Sequence, residues 1–202
     1  MLRLELLACI LLFALIGLPA CDSGPATSAG SGDLTGYELI SIPGSNASKA
    51  VKRDGGGTVA EEGYVLDGQR HGLWLTFHQD GRIETMKHYI SGKLNGVSLR
   101  LDNRGQIIEK TFYTNDQFDG EKATYRFGRV QEVIPYSMGV IDGRAMKYYT
   151  NGKVMEEIDY QHGKQHGYYR HYNEQGIMDL EYVYENGEKI SGGIVTPDTE
   201  QQ

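Results

Sequence analysis

From Tyr64 to Tyr184 the chain repeats itself every 24 residues, and that period leaves few folds open. A tyrosine opens each unit at Tyr64, Tyr89, Tyr113, Tyr136 and Tyr160, and Tyr184 opens a truncated sixth. Three or four residues later comes a glycine, at Gly68, Gly92, Gly139, Gly163 and Gly187, with Asp116 in its place in the third unit. A second glycine follows at Gly72, Gly96, Gly120, Gly143 and Gly167. A third sits at Gly81, Gly105, Gly128, Gly152 and Gly176, each eight residues ahead of the next tyrosine. Internal similarity at roughly 20 to 50 residues marks a stacked array whose units cover one another.

Each unit divides into two segments of strand length. Gln79-Asp80-Gly81, Asn103-Arg104-Gly105, Asn151-Gly152 and Glu174-Gln175-Gly176 join them with residues suited to a tight turn. The tyrosine-to-glycine connection is a second glycine turn. The expected fold is therefore all-β, an elongated antiparallel β-hairpin array laid out as one open meander sheet of about five 24-residue units. Alternation predicts a buried face carrying Leu75, Leu99, Ala123, Met146 and Arg170, with Phe77, Leu101, Tyr125, Tyr148 and Tyr172 beside them. Ile83, Ile107, Val130, Val154, Met178 and the closing tyrosines are expected on that same face. Trp74 and Tyr169 occupy matching positions of the first and fifth units on the outward face, which makes them the candidate partner surface.

Residues 64–189 resemble the bacterial variant of the MORN repeat, whose units run Tyr-x-x-Gly-x-x-x-Gly-x-Trp/Tyr-x-x-Tyr before a glycine turn. Gly72-Leu73-Trp74-Leu75-Thr76-Phe77 and Gly167-Tyr168-Tyr169-Arg170-His171-Tyr172 match that pattern best. The third unit departs from it, with Asp116 for glycine and Lys122 at the aromatic position, and a looser turn is expected there. The resemblance implies an open hairpin sheet. It also implies a relation to proteins labelled antitoxin-like components of toxin and antitoxin pairs.

The ends of the chain carry a different message. Leu6 to Leu18 is an apolar run preceded by Arg3, too short for the roughly 20 residues of a membrane span but of the length of a secretory signal core. It leads into Leu18-Pro19-Ala20-Cys21, which resembles a lipobox. Residues 1–20 read as a lipoprotein signal peptide, Cys21 as the lipidated residue, and 21–36 as a flexible Gly/Ser-rich tether. Residues 37–63 read as an N-terminal capping region in which Gly55-Gly56-Gly57 marks a degenerate hairpin, and 190–202 as a C-terminal cap and frayed tail. The expected location is the bacterial cell envelope, anchored to a membrane through the lipid on Cys21.

No phosphate loop or nucleophile elbow interrupts the pattern. In repeat register, the residues ahead of the second glycine are His71, Asn95, Asp119, Asp142 and His166, so the histidines read as left-handed turn residues rather than metal ligands. The row Thr85, Glu109, Glu132 and Glu156 reads as one half of cross-strand ion pairs. A net charge of −7 with no basic stripe argues against nucleic acid. No enzyme activity, cofactor or metal is expected. The expected function is a protein-interaction platform with a protein partner, with a cell-wall glycan-binding or wall-organising module as the alternative.

Overall fold

The computed structural model describes residues 33–195; the signal segment, Cys21, most of the tether and the tail beyond 195 lie outside the described residues. The described chain is all strand and turn. The first strands are β1 (Glu38–Ser41), β2 (Ala47–Arg53), β3 (Val59–Leu66), β4 (Gln69–Phe77), β5 (Ile83–Ile90), β6 (Lys93–Leu94), β7 (Gly96–Leu101) and β8 (Ile107–Thr114). There follow β9 (Gln117–Phe118), β10 (Gly120–Arg126), β11 (Arg129–Ser137), β12 (Val140–Ile141), β13 (Gly143–Tyr148), β14 (Val154–Gln161), β15 (Lys164–Tyr172), β16 (Met178–Glu185) and β17 (Glu188–Ile194). The two-residue strands β6, β9 and β12 are the leading ends of β7, β10 and β13. Every pairing is antiparallel and between neighbours in the chain, from β1 with β2 to β16 with β17, so the sheet is one open meander.

Turn chemistry sets the frame. Between units, Asp67-Gly68, Ser91-Gly92, Asn115-Asp116, Met138-Gly139, His162-Gly163 and Asn186-Gly187 all take positive φ at both positions. That is the two-residue mirror-image turn whose twist suits a hairpin. The turns stack on one another: the Gly139 N–H donates to the Phe118 carbonyl at 2.7 Å, and Gly163 repeats this with Ile141 at 2.8 Å. The Asp116 turn is not looser than the others. Its backbone N–H donates to the Leu94 carbonyl at 3.0 Å, and its carboxylate accepts the Leu94 N–H at 2.8 Å, a bond a glycine there could not make.

His71 and His166 are not left-handed residues; the glycines after them carry the positive φ. The polar side chains at this position instead reach into the next unit's turn. Asp119 accepts the Met138 N–H at 3.3 Å, Asp142 the His162 N–H at 3.3 Å, and His166 Nδ1 the Asn186 N–H at 3.4 Å.

The register of the first unit also differs from expectation. The tyrosine position is defined by its pairing with the second glycine, as in Tyr89 with Gly72 and Tyr113 with Gly96. In the preceding hairpin Val65 holds that position, opposite Ser48, while Tyr64 faces the other side at 48% exposure. Gly57 closes that hairpin as Gly81 closes the next, its N–H donating to a carbonyl three residues back. The degenerate hairpin over 37–63 is thus a full unit in register, formed by β2 and β3.

One bulge recurs in every unit and decides the faces. Thr76 pairs with Thr85 but Phe77 pairs with Ile83, so Glu84 is extra. The same skip falls at Arg100/Leu101, Thr124/Tyr125, Lys147/Tyr148 and His171/Tyr172. An extra residue reverses the alternation beyond it and adds right-handed twist. Ile83 therefore shares the Leu75 face, whereas Tyr89 lies on the opposite face with Trp74. The expectation that the closing tyrosines join Leu75 is corrected by this bulge.

Two faces result, neither covered by a second layer among the described residues. The aliphatic face carries Leu75, Met86, Leu99, Ala123, Val133 and Met146 in one row, interrupted by Lys110 between Leu99 and Ala123. The tyrosine face carries Trp74, the closing tyrosines and a row in which Thr76, Thr85, Arg100, Glu109, Thr124, Glu132, Lys147, Glu156 and His171 stand side by side across the strands. The compact core lies at the N-terminal end, where Ala50, Val65, Trp74 and Tyr89 pack together.

Candidate functional site

Two residues after each second glycine, the tyrosine face has a slot. Its occupant changes from unit to unit: Trp74, Ser98, Lys122, Ala145 and Tyr169. Beside the slot, on the strand before it, stands one member of the polar row: Glu61, Thr85, Glu109, Glu132 and Glu156 in the same order. How each occupant meets its neighbour defines what the face can do.

Trp74 is 2% exposed, which corrects its expected outward placement. It lies over Gly63, where an added Cβ would fall 2.2 Å from the indole. Its Nε1–H donates to the Tyr64 carbonyl at 2.9 Å. Tyr37 and Tyr89 meet it edge-on at 5.7 and 6.1 Å, and the Arg70 guanidinium sits 4.3 Å from its ring. Arg70 in turn donates to the Tyr37 hydroxyl at 3.0 Å and pairs with Glu61 at 3.4 Å. This is a structural cap, not an exposed contact surface.

Lys122 holds the third slot position and reaches Glu109 at 3.8 Å, with its ammonium 5.6 Å from the Phe118 ring. Glu109 also takes Arg100 at 3.5 Å. Tyr169 fills the fifth slot, half-buried and stacked on Tyr182 at 6.1 Å. Its phenol pKa is raised, first by burial and then by the Glu156 charge. Cross-strand ion pairing of the glutamate row is as expected for Glu109, and for Glu156, which Lys147 meets at 2.9 Å.

The fourth slot is different. Ala145 is its floor, 8% exposed, and above it is a hollow of about 120 Å³ walled by Ile134, Ile141, Ile158 and Tyr160, with Glu132 and Glu156 at one end. That volume is several times the roughly 30 Å³ of a liquid water. Glu132 stands opposite Lys147 in register, but the Lys147 ammonium is held by Glu156. The Lys147 pKa is raised chiefly by that hydrogen bond, with the Glu132 charge acting through space. Among the described residues no cation lies within 4.0 Å of Glu132. Sequence reasoning did not single out Ala145. Its signal is a small residue at the slot position, shared only with Ser98, and of those two it alone has a glutamate, Glu132, beside it.

On the aliphatic face at the C-terminal end, charges replace the apolar row. Arg144 grips Asp159 at 2.7 and 3.2 Å and reaches Glu157 at 3.6 Å. Arg170 meets Glu157 at 3.9 Å and Glu181 at 2.8 Å, and the Tyr172 hydroxyl donates to Glu157 at 3.3 Å. A broad, open depression of about 590 Å³ lies beside Arg144 and Asp159, whose charges satisfy each other.

Residues 141–162, which hold the Ala145 slot, match the family model described as MORN repeat variant. The stretch is a MORN-type repeat. No match to a curated protein is found. Among solved structures, the crystal structure of TarM aligns at 18% identity and a TM-score of 0.34, over 54% of this chain and 21% of that one. A mutant of S. aureus TarM in complex with Fondaparinux, alpha-GlcNAc-glycerol and UDP aligns at 17% identity and a TM-score of 0.35, over the same shares. The aligned part spans about a fifth of the TarM chain. At that similarity neither structure informs what this chain binds.

Proposed function

We propose that this chain is a non-enzymatic, membrane-anchored lipoprotein whose repeat sheet serves as a protein-interaction platform of the antitoxin or immunity type. One observation supports the platform most: the sheet is a single layer whose tyrosine face stays half-exposed and carries an apolar hollow beside an unpaired carboxylate. An elongated surface of that kind offers a partner many contact points on a rigid frame, and repeat sheets vary those points without changing the frame. Anchoring through Cys21 holds the platform at a membrane. The glycan-binding alternative loses its principal residue, because a Trp74 ring buried against Gly63 and Arg70 cannot stack on a sugar.

The two parts are tested separately. Cys21→Ser is expected to move the protein from the membrane fraction to the soluble fraction; unchanged fractionation would refute lipidation. For the platform, tagged full-length protein is captured from solubilised envelopes beside a Thr124→Glu, Lys147→Glu variant that keeps the wild-type circular dichroism. A partner retained by wild type and lost by the variant is the expected result. Equal recovery by both, or recovery of none, removes the tyrosine face as the platform.

A further inference from the structure

The third unit shows how this sheet accommodates a lysine. Lys122 stands two residues after Gly120, opposite Ile134, and brings its ammonium to Glu109 on β8. In the fourth unit the slot, the isoleucine opposite it and the glutamate recur without the lysine, while Ile141 takes the place of Phe118 and Lys147 that of Thr124. Ala145 stands two residues after Gly143 opposite Ile158, and Glu132 on β11 holds the place of Glu109. The hollow above Ala145 is the space a lysine stem would occupy, and Glu132 is the carboxylate it would reach.

We propose that the Ala145 slot is the docking point for a lysine side chain of the protein partner, which completes in trans the arrangement that Lys122 makes in cis. This rests on the platform reading and gives it a chemical preference. The charges facing the slot favour a cation. Glu132 and Glu156 supply two negative charges against the single Lys147, which Glu156 holds at 2.9 Å. The next side chain along the row, His171, is turned to Asp179 at 2.6 Å. Four methylenes against Ile134, Ile158 and Tyr160 provide the apolar contact, so stem and head are both matched.

The test uses the full chain with labelled Ala and Ile methyl groups and the blocked tripeptide Gly-Lys-Gly as probe. Saturable shifts of the Ala145, Ile134 and Ile158 methyls are expected. The norleucine counterpart, which keeps the stem and lacks the ammonium, should bind at least about tenfold more weakly. Glu132→Gln should erase the difference between the two probes, and Ala145→Lys should abolish both by filling the slot. Absence of methyl shifts, equal affinity for lysine and norleucine, or unaltered binding to Ala145→Lys would each overturn the proposal. Tighter binding of cadaverine than of the tripeptide would also overturn it, by assigning the slot to free amines. Should Ala145→Lys not fold, Glu132→Gln decides alone. These outcomes are independent of partner capture, so a platform without a lysine slot and a slot without a platform are told apart.

Discussion

Trp74→Ala is expected to destabilise the N-terminal units by about 3–5 kcal/mol, the range for deleting a large aromatic from a packed site. The removed indole leaves Gly63 uncovered and takes away the edge contacts of Tyr37 and Tyr89 and the hydrogen bond to the Tyr64 carbonyl. It also strips the ring from Arg70, whose Nε is already buried without a partner. That loss is comparable to the whole stability of a small domain, about 5–15 kcal/mol. In a repeat array the damage stays local, because each unit depends on its neighbours rather than on one central core. Residue-resolved hydrogen exchange should show β2 to β5 losing protection while β13 to β16 retain theirs. Uniform loss across the sheet would show a single cooperative body instead. Gly63→Ala should act through the same contact, since its Cβ would strike the indole, and its cost should shrink when Trp74 is already alanine.

Glu157→Ala should do the complementary thing at the other end. Glu157 is 17% exposed and takes Arg144, Arg170 and the Tyr172 hydroxyl, so its removal leaves two guanidinium groups short of a partner. A loss of about 2 kcal/mol is expected, in the range for hydrogen bonds to charged groups. Protection should fall in β13 to β16 and hold in β2 to β5. The network also predicts sensitivity to acid. Burial works to raise the Asp159 pKa, but bonds from Arg144 and the Tyr168 N–H outweigh it and hold the carboxyl below its ordinary value. A depressed folded pKa contributes stability that is present above the unfolded value, about 3.9, and is lost as pH falls through the folded one. Urea midpoints should therefore drop for the wild type below about pH 4, and drop less for Asp159→Asn, which lacks that contribution at any pH.

The architecture was legible in the sequence because its determinants are local. Glycine spacing and turn residues fix hairpins two to a period, and Gly57 already marked the extra unit before the array. The faces were not legible. Glu84 and Asp179 are bulge residues with no composition that sets them apart, yet each reverses the alternation after it and moves a tyrosine to the other side. Tyr64 misled for a related reason: it lies one residue from the true tyrosine position, and Val65 fills that position without an aromatic ring. Trp74 then looked outward by counting, when the small Gly63 across the ladder is what lets it lie flat and buried. Lys122, a departure from the aromatic pattern, proved informative: paired with Glu109, it shows by contrast what the Ala145 slot lacks.

Whether a partner sits on the tyrosine face at the Ala145 unit can be read directly in cells. A photo-crosslinking amino acid placed at Thr124 and Lys147 on that face, and at Val97 and Tyr168 on the opposite one, tests it in intact cells. Adducts from Thr124 and Lys147 that disappear with Ala145→Lys are the expected result. Adducts confined to Val97 and Tyr168 would contradict it.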